Sequence, residues 1–183
     1  MKAMKSLKII YVLLMSVGTA VLYSCSTTMP EGAVAVKPFE KEKYLGLWYE
    51  IARLDFKYEK DLSNTTATYT LNENGTIKVD NQGYNTKTGK WVQAIGKAKF
   101  VGEDNTAMLK VSFFGPFYGG YNVIAIDPEY RYALVAGDNL QYLWILSRET
   151  TIPQEIKDNY LKIAQQIGYK TSDLVWVTHD KKK

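Results

Sequence analysis

The chain has 183 residues, 46% of them hydrophobic, with 23 Lys and Arg against 19 Asp and Glu and a single cysteine. Lys2, Lys5 and Lys8 fall in residues 1–24, which hold no acid, so 23 less these three leaves 20 basic against 19 acidic side chains, about +1 net. That balance excludes a nucleic-acid footprint, one cysteine excludes an intramolecular disulfide, and the remaining length accommodates one domain with a sizeable core.

Residues 1–24 read as a signal peptide. The three lysines form a positive n-region, and Ile9 to Val21 is an apolar stretch short for a bilayer-spanning helix. Leu22-Tyr23-Ser24-Cys25 follows. It resembles the signal of bacterial lipoproteins, cleaved before a cysteine that receives lipid, with Tyr23 bulkier than the residue usual there. Cys25 is the expected lipid-attachment residue, and more than one acyl chain on it gives stable anchoring. Residues 25–43 contain Pro30, Gly32 and Pro38 and little periodicity, so they read as a flexible lipid-anchored tether; residues 44–183 read as the folded domain.

From Tyr44 onward, short runs rich in Tyr, Phe, Val, Thr and Ile alternate with polar turns. Strands are predicted near 46–55, 65–72, 76–84, 90–100, 105–114, 120–127, 131–137 and 140–148. Asn74-Gly75 is a tight-hairpin signal. One connection is long, Phe56 to Asn64. A helix follows: Thr151-Ile152-Pro153-Gln154 fits a capping box, Ile156, Tyr160, Ile163 and Ile167 recur at helical spacing, and Gly168 stops it. Leu174 to Thr178 returns to strand. The predicted fold is all-β: an eight-stranded antiparallel up-and-down β-barrel, which closes its own edges, with one C-terminal α-helix and a short final strand.

Period-two alternation assigns inward faces. The Trp48 face of the first strand carries Trp48, Glu50 and Ala52; later strands offer Ala67 and Tyr69, Ile77, Val79 and Asn81, Ala94 and Ala98, Leu109, Val111 and Phe113, then Tyr142, Trp144 and Leu146. On the sixth strand, the Tyr121/Val123/Ala125 face and the Asn122/Ile124/Ile126 face both remain open. Small residues among large aromatics leave room, so a cavity is expected, with Glu50, Ala52, Ala67, Tyr69, Val79, Ala94, Val111, Phe113, Tyr142 and Trp144 as candidate ligand-binding residues. Glu50 is the one inward acid. It is either a structural carboxylate partnered by Arg53 or Arg148, or a polar handle for a ligand headgroup. Up-down connectivity puts the 56–64 loop and the aromatic segment Phe114–Gly120 at one end, the mouth. Trp48, the Asp127–Tyr130 turn and Arg148 fall at the other.

Gly46-Leu47-Trp48 and Ser147-Arg148 resemble two of the three short signatures of the lipocalins; Asp127-Pro128-Glu129-Tyr130 keeps only the position of the third. Trp48–Arg53, Val111–Tyr121 and Trp144–Arg148 bring the resemblance nearest to the bacterial outer-membrane lipocalins and apolipoprotein D. It implies a closed barrel floor of Gly46, Trp48 and Arg148, with Arg148 stacked on Trp48 as a cation–π pair.

Catalytic constellations are lacking. His179, the only histidine, falls near a frayed end and is expected to be exposed; no Cys/His cluster suits a metal, and no phosphate loop suggests a cofactor. The expected function is a lipid-anchored protein that carries small amphipathic or hydrophobic ligands, such as the fatty acids or lysophospholipids the resemblance suggests. It would sit at the bacterial outer membrane facing the periplasm, as a monomer or weak homodimer. The alternatives are a structural or stress-related envelope lipoprotein with a filled barrel, or a lipid-modifying enzyme.

Overall fold

The computed structural model describes residues 29–182; the expected signal peptide and Cys25 lie outside them. Nine antiparallel strands form the sheet: β1 (Gly46–Leu54), β2 (Leu62–Leu71), β3 (Ile77–Asn85), β4 (Lys90–Phe100), β5 (Met108–Phe114), β6 (Phe117–Ile126), β7 (Tyr132–Ala136), β8 (Leu143–Ser147) and β9 (Leu174–Trp176). Each of β1 to β7 pairs with its successor, and β8 pairs back with β1, so the barrel closes; β9 adds to β1 outside the ring. The Asn74-Gly75 hairpin is present, with the Asn72 N–H donating to the Thr76 carbonyl at 2.8 Å. The predicted 115–119 loop is a two-residue turn instead, because Phe114 already pairs with Phe117.

Two apolar clusters divide the molecule. One fills the closed end inside the barrel around Trp48, Leu109, Val123 and Val135; the other lies between the outer face of β1, β7 and β8 and the helix α2 (Gln154–Ile167). Every residue of β7 is buried, since Ala133 and Val135 face the inner cluster while Tyr132, Leu134 and Ala136 face the helix. Tyr160 and Ala164 are the most buried helix residues, and the Tyr160 hydroxyl donates to the Tyr132 carbonyl at 2.8 Å. Gly168 ends the helix in the left-handed region, with the Tyr169 N–H bonded to the Ala164 carbonyl. The expected capping box does not form. The cap position falls on Pro153, two residues past Thr151, and Thr151 presents only its carbonyl, to Ser147 Oγ.

A β-bulge changes the phase of β1. Glu50 pairs with Leu146 but Ala52 pairs with Ile145, so Ile51 is an extra residue. Ile51 and Ala52 then both face α2, and Arg53, opposite Trp144, turns inward. The expectation that Ala52 lines the cavity is therefore corrected: it is fully buried beneath the helix. A bulge between Val123 and Ala125 resolves β6 the same way. Tyr121 and Val123 face the inner cluster, Ile124 and Ala125 the outer one, and Ile126 the inner one again, so the Tyr121/Val123 face is inward before the bulge and Ile126 of the other face after it.

Both ends of the described region, residues 29–182, are more ordered than predicted. The tether reading is corrected for residues 35–43. Val36 is held between β5 and β6, its N–H donating to the Val123 carbonyl and its carbonyl accepting from the Ala107 N–H, each at 2.9 Å. Phe39 is buried against Tyr44 and Tyr130, and a one-turn helix α1 (Lys41–Tyr44) leads into β1. Apolar Val36 and Phe39 thus plug the closed end. At the other terminus β1 parts from β2 beyond Tyr49, and the tail fills the opening. The Val177 N–H donates to the Ile51 carbonyl, and the Asn64 N–H to the Thr178 carbonyl. His179 is accordingly half-buried rather than exposed, with Nε2 2.8 Å from the Glu50 carbonyl and its ring edge-on to Tyr49.

Candidate functional site

The closed end is built around Trp48, which is fully buried and donates through Nε1 to the Tyr44 carbonyl at 2.8 Å. Arg148, directly after β8, lays its guanidinium 3.8 Å from the centre of the Trp48 ring. Its fork donates to the carbonyls of Leu47, Lys43 and Leu45, and its Nε to that of Tyr130. Gly46 sits at φ +93°, a conformation few other residues adopt, and a Cβ there would lie 3.5 Å from Arg148 Nη1.

Above this floor is a small chamber of about 80 Å³, opening upward into one of about 800 Å³. Glu50, Glu59, Ala67, Asn81, Val111, Phe113 and Leu146 border both. The lower chamber ends at a tyrosine chain in which the Tyr121 hydroxyl lies 2.6 Å from that of Tyr44 and 2.7 Å from that of Tyr69; burial holds all three phenols above their ordinary range. The mouth carries aromatic rings: Tyr58 (62% exposed), Phe114 and Phe117 (77% exposed). Lys57 and Lys60 also line the upper chamber, and Lys57 Nζ lies 4.6 Å from the centre of the Tyr58 ring.

At the waist between the chambers sit two carboxylates and one cation. Arg53 donates to Glu50 Oε1 at 2.7 Å and to the carbonyls of Glu59 and Leu62. Glu59 comes from the long loop after β1 and accepts from Trp144 Nε1 at 3.1 Å. Burial pushes the Glu59 carboxyl up to about 8, and the negative charge of Glu50 adds to that push. Burial also raises Glu50, with Arg53 opposing. A cluster of rings stands beside these groups: Tyr142 stacks on Trp144, and Phe56 meets both edge-on, at 83° and 89°.

Of the candidates read from alternation, Tyr69, Val79 and Trp144 border the lower chamber, and Glu50, Ala67, Val111 and Phe113 border both. Ala94 and Tyr142 border only the upper one, and Ala94 is exposed, because the β4–β5 ladder ends at the Lys97–Ser112 pair below it. Ala52 is outside. Sequence reasoning missed Glu59, which nothing distinguishes from other acids of a polar loop, and the lining role of Tyr44. Arg53 was weighed only as a partner for Glu50; the adjacent apolar pair Ile51-Ala52 was the available sign that alternation breaks there.

A closed up-and-down barrel, plugged at one end, open at the other and flanked by one helix, defines a barrel of the lipocalin type. The chain belongs to the lipocalin family: residues 39–179 match the family model described as the lipocalin-like domain. Among its relatives, "Outer membrane lipoprotein Blc" of Citrobacter freundii is 53% identical over 155 residues, covering 84% of this chain and 88% of that protein. Apolipoprotein D of Rattus norvegicus is 37% identical over 125 residues, covering 64% and 65%. Insecticyanin of the tobacco hornworm Manduca sexta shares the fold at TM-score 0.67 and 19% identity, over 82% of this chain and 86% of that one.

Proposed function

We propose that this protein is a lipid-anchored lipocalin that binds and carries amphipathic lipids, fatty acids or lysophospholipids, at the bacterial outer membrane, facing the periplasm. The observation that carries this reading is the chamber of about 800 Å³ opening at an aromatic mouth, within the ~300–1,000 Å³ usual for ligand pockets. An acyl chain threading past Ala67 and Val111 toward Val79 gains about 0.8 kcal/mol per methylene buried. Lys57 and Lys60 at the rim suit an anionic headgroup left at the mouth. The position of Cys25 after an apolar segment, together with the outer membrane lipoprotein named among the relatives, supports anchoring and location.

The role is binding rather than catalysis. The chain's one cysteine is Cys25, and its one histidine packs on Tyr49 outside the chambers. The test is titration with a fatty acid, read through the fluorescence of Trp144, whose indole borders the cavity. Saturable binding, with a lipid retained in native mass spectra after mild extraction, supports the carrier. Turnover of the bound lipid, or a protein that binds nothing, would refute it.

A further inference from the structure

The polar groups at the waist of the cavity are mismatched in kind. Glu50, Glu59 and Asn81 all present acceptor oxygens to it, and Asn81 Oδ1 is buried with no hydrogen-bond partner among the described residues. Thr65, only 4% exposed, borders the upper chamber with its Oγ1 beside the Glu50 carboxylate but outside hydrogen-bonding geometry. The cation among them is spread thin: the Arg53 terminal nitrogens are engaged with Glu50 and with the carbonyls of Glu59 and Leu62, and its Nε makes no hydrogen bond among the described residues but lies 3.6 Å from Asp55 and 3.8 Å from Glu59. Three carboxyl groups thus share a single guanidinium, and a second positive charge is what the site lacks. Beside Glu59 the rings of Phe56, Tyr142 and Trp144 pack on one another as a cluster that borders the cavity. Ring faces beside carboxylates are the chemistry that receives alkylammonium groups.

We infer that the waist is a recognition site for the ammonium group of an amphiphile, seated beside the carboxyl groups of Glu59 and Glu50 and against the ring cluster of Phe56, Tyr142 and Trp144. The inference rests on the carrier reading and deepens it by assigning the headgroup class. A fatty carboxylate gains nothing at this level, where it meets like charge, and stays at the lysine rim. A zwitterionic headgroup meets both levels only with its ammonium arm folded back beside the acyl chain, its phosphate at Lys57 and Lys60 and its ammonium at the waist. Binding is linked to protons, because a cation beside Glu59 favours its ionised form. The charged and titratable groups around Glu59 are Glu50 and Arg53 of β1, Asp55 just beyond it, Lys57 and Lys60 of its own loop, Tyr69 of β2, and Tyr142 before β8. With the Glu59 carboxyl near 8, ammonium affinity rises with pH from 6 to 9 as the proton to be displaced is lost.

The experiment compares three probes of one chain length on the folded protein at pH 9, where the Glu59 carboxyl is ionised: dodecyltrimethylammonium, dodecanoate and neutral dodecyl maltoside. The ammonium is expected to bind at least tenfold more tightly than the maltoside. Glu59→Gln keeps an acceptor for Trp144 Nε1, and it should cut that ratio at least fivefold. Tyr142→Leu, which removes a ring of the cluster without touching charge, should cut it too. Equal affinities for the ammonium and the maltoside, or a ratio unmoved by Glu59→Gln, would overturn the site while leaving the carrier intact. Binding of none of the three overturns the carrier reading and the site with it. Lysophosphatidylethanolamine against lysophosphatidylglycerol identifies the source. A preference for the former supports a lipid headgroup; equal binding, with the ammonium preference retained, supports a free cationic amphiphile.

Discussion

Arg148 and Trp48, a hundred residues apart in sequence, are stacked at 3.8 Å, and the same guanidinium ties the end of α1, the start of β1 and the Asp127–Tyr130 turn together through carbonyl oxygens. The barrel floor is therefore one cooperative unit rather than a set of neighbouring contacts. Trp48→Ala, which removes a fully buried indole, should cost about 3–5 kcal/mol. Arg148→Ala should cost less, and the double variant should lose less than the two singles combined, because the partners share one interaction. Arg148→Lys should not restore stability, since an ammonium lacks the planar fork that reaches several carbonyls. Denaturant melts of the four proteins give the cycle, and strictly additive losses would show that the stack contributes nothing of its own.

The Glu59 carboxyl makes stability pH-dependent in a definite direction. Its folded value of about 8 stands above the ordinary value of 4.5. Between those limits the folded chain holds a proton that the unfolded chain has released, so stability falls as pH rises through this window, by at most about 1.4 kcal/mol per pH unit. The penalty is absent below 4.5 and complete above 8. Melting temperatures from pH 5 to 8 should decline for the parent and decline less for Glu59→Gln; parallel curves would place the titration elsewhere.

Ala67 borders both chambers, so Ala67→Phe should enter empty space, without the usual ~1–3 kcal/mol of overpacking, while fatty-acid affinity drops. Ala94→Trp, at the exposed rim, should leave the melting temperature in place and weaken binding less. A destabilised Ala67→Phe with undiminished affinity would mean that the acyl chain lies elsewhere.

Cys25→Ala should release the protein from membranes. Fractionation after a high-salt wash measures this; a variant that remains with the membrane after signal cleavage would refute anchoring through this cysteine.

The closed barrel and the helix were legible because each rests on a local signal, alternation along the strands and the stripe Ile156–Tyr160–Ile163, whereas the floor of Gly46, Trp48 and Arg148 was expected from the lipocalin resemblance alone. The waist of the cavity was not. Alternation is a rule about uninterrupted strands, and the bulge at Ile51 exchanges Ala52 for Arg53 on the inner face. Glu59 arrives on a loop, where no periodicity applies and only the tertiary position of Trp144 gives it meaning. The plug at Val36 and Phe39 escaped notice because two apolar residues in a Pro- and Gly-punctuated stretch have no period to announce them.

The bulge in β1 lets a single nine-residue strand serve two masters. Its first half, through Glu50, belongs to the chamber, and its second half, except for Arg53, belongs to the helix. Its length is consequently tied to the bulge in a way that the length of the hairpin at 85–90 is not. Pairing all nine residues without the bulge would swing Ala52 into the interior and carry Arg53 out toward α2, stranding Glu50 and setting a guanidinium against an apolar helix face. Among diverging copies of this chain, residues can be exchanged along β1, but the bulge and the count between Trp48 and Arg53 have to change together.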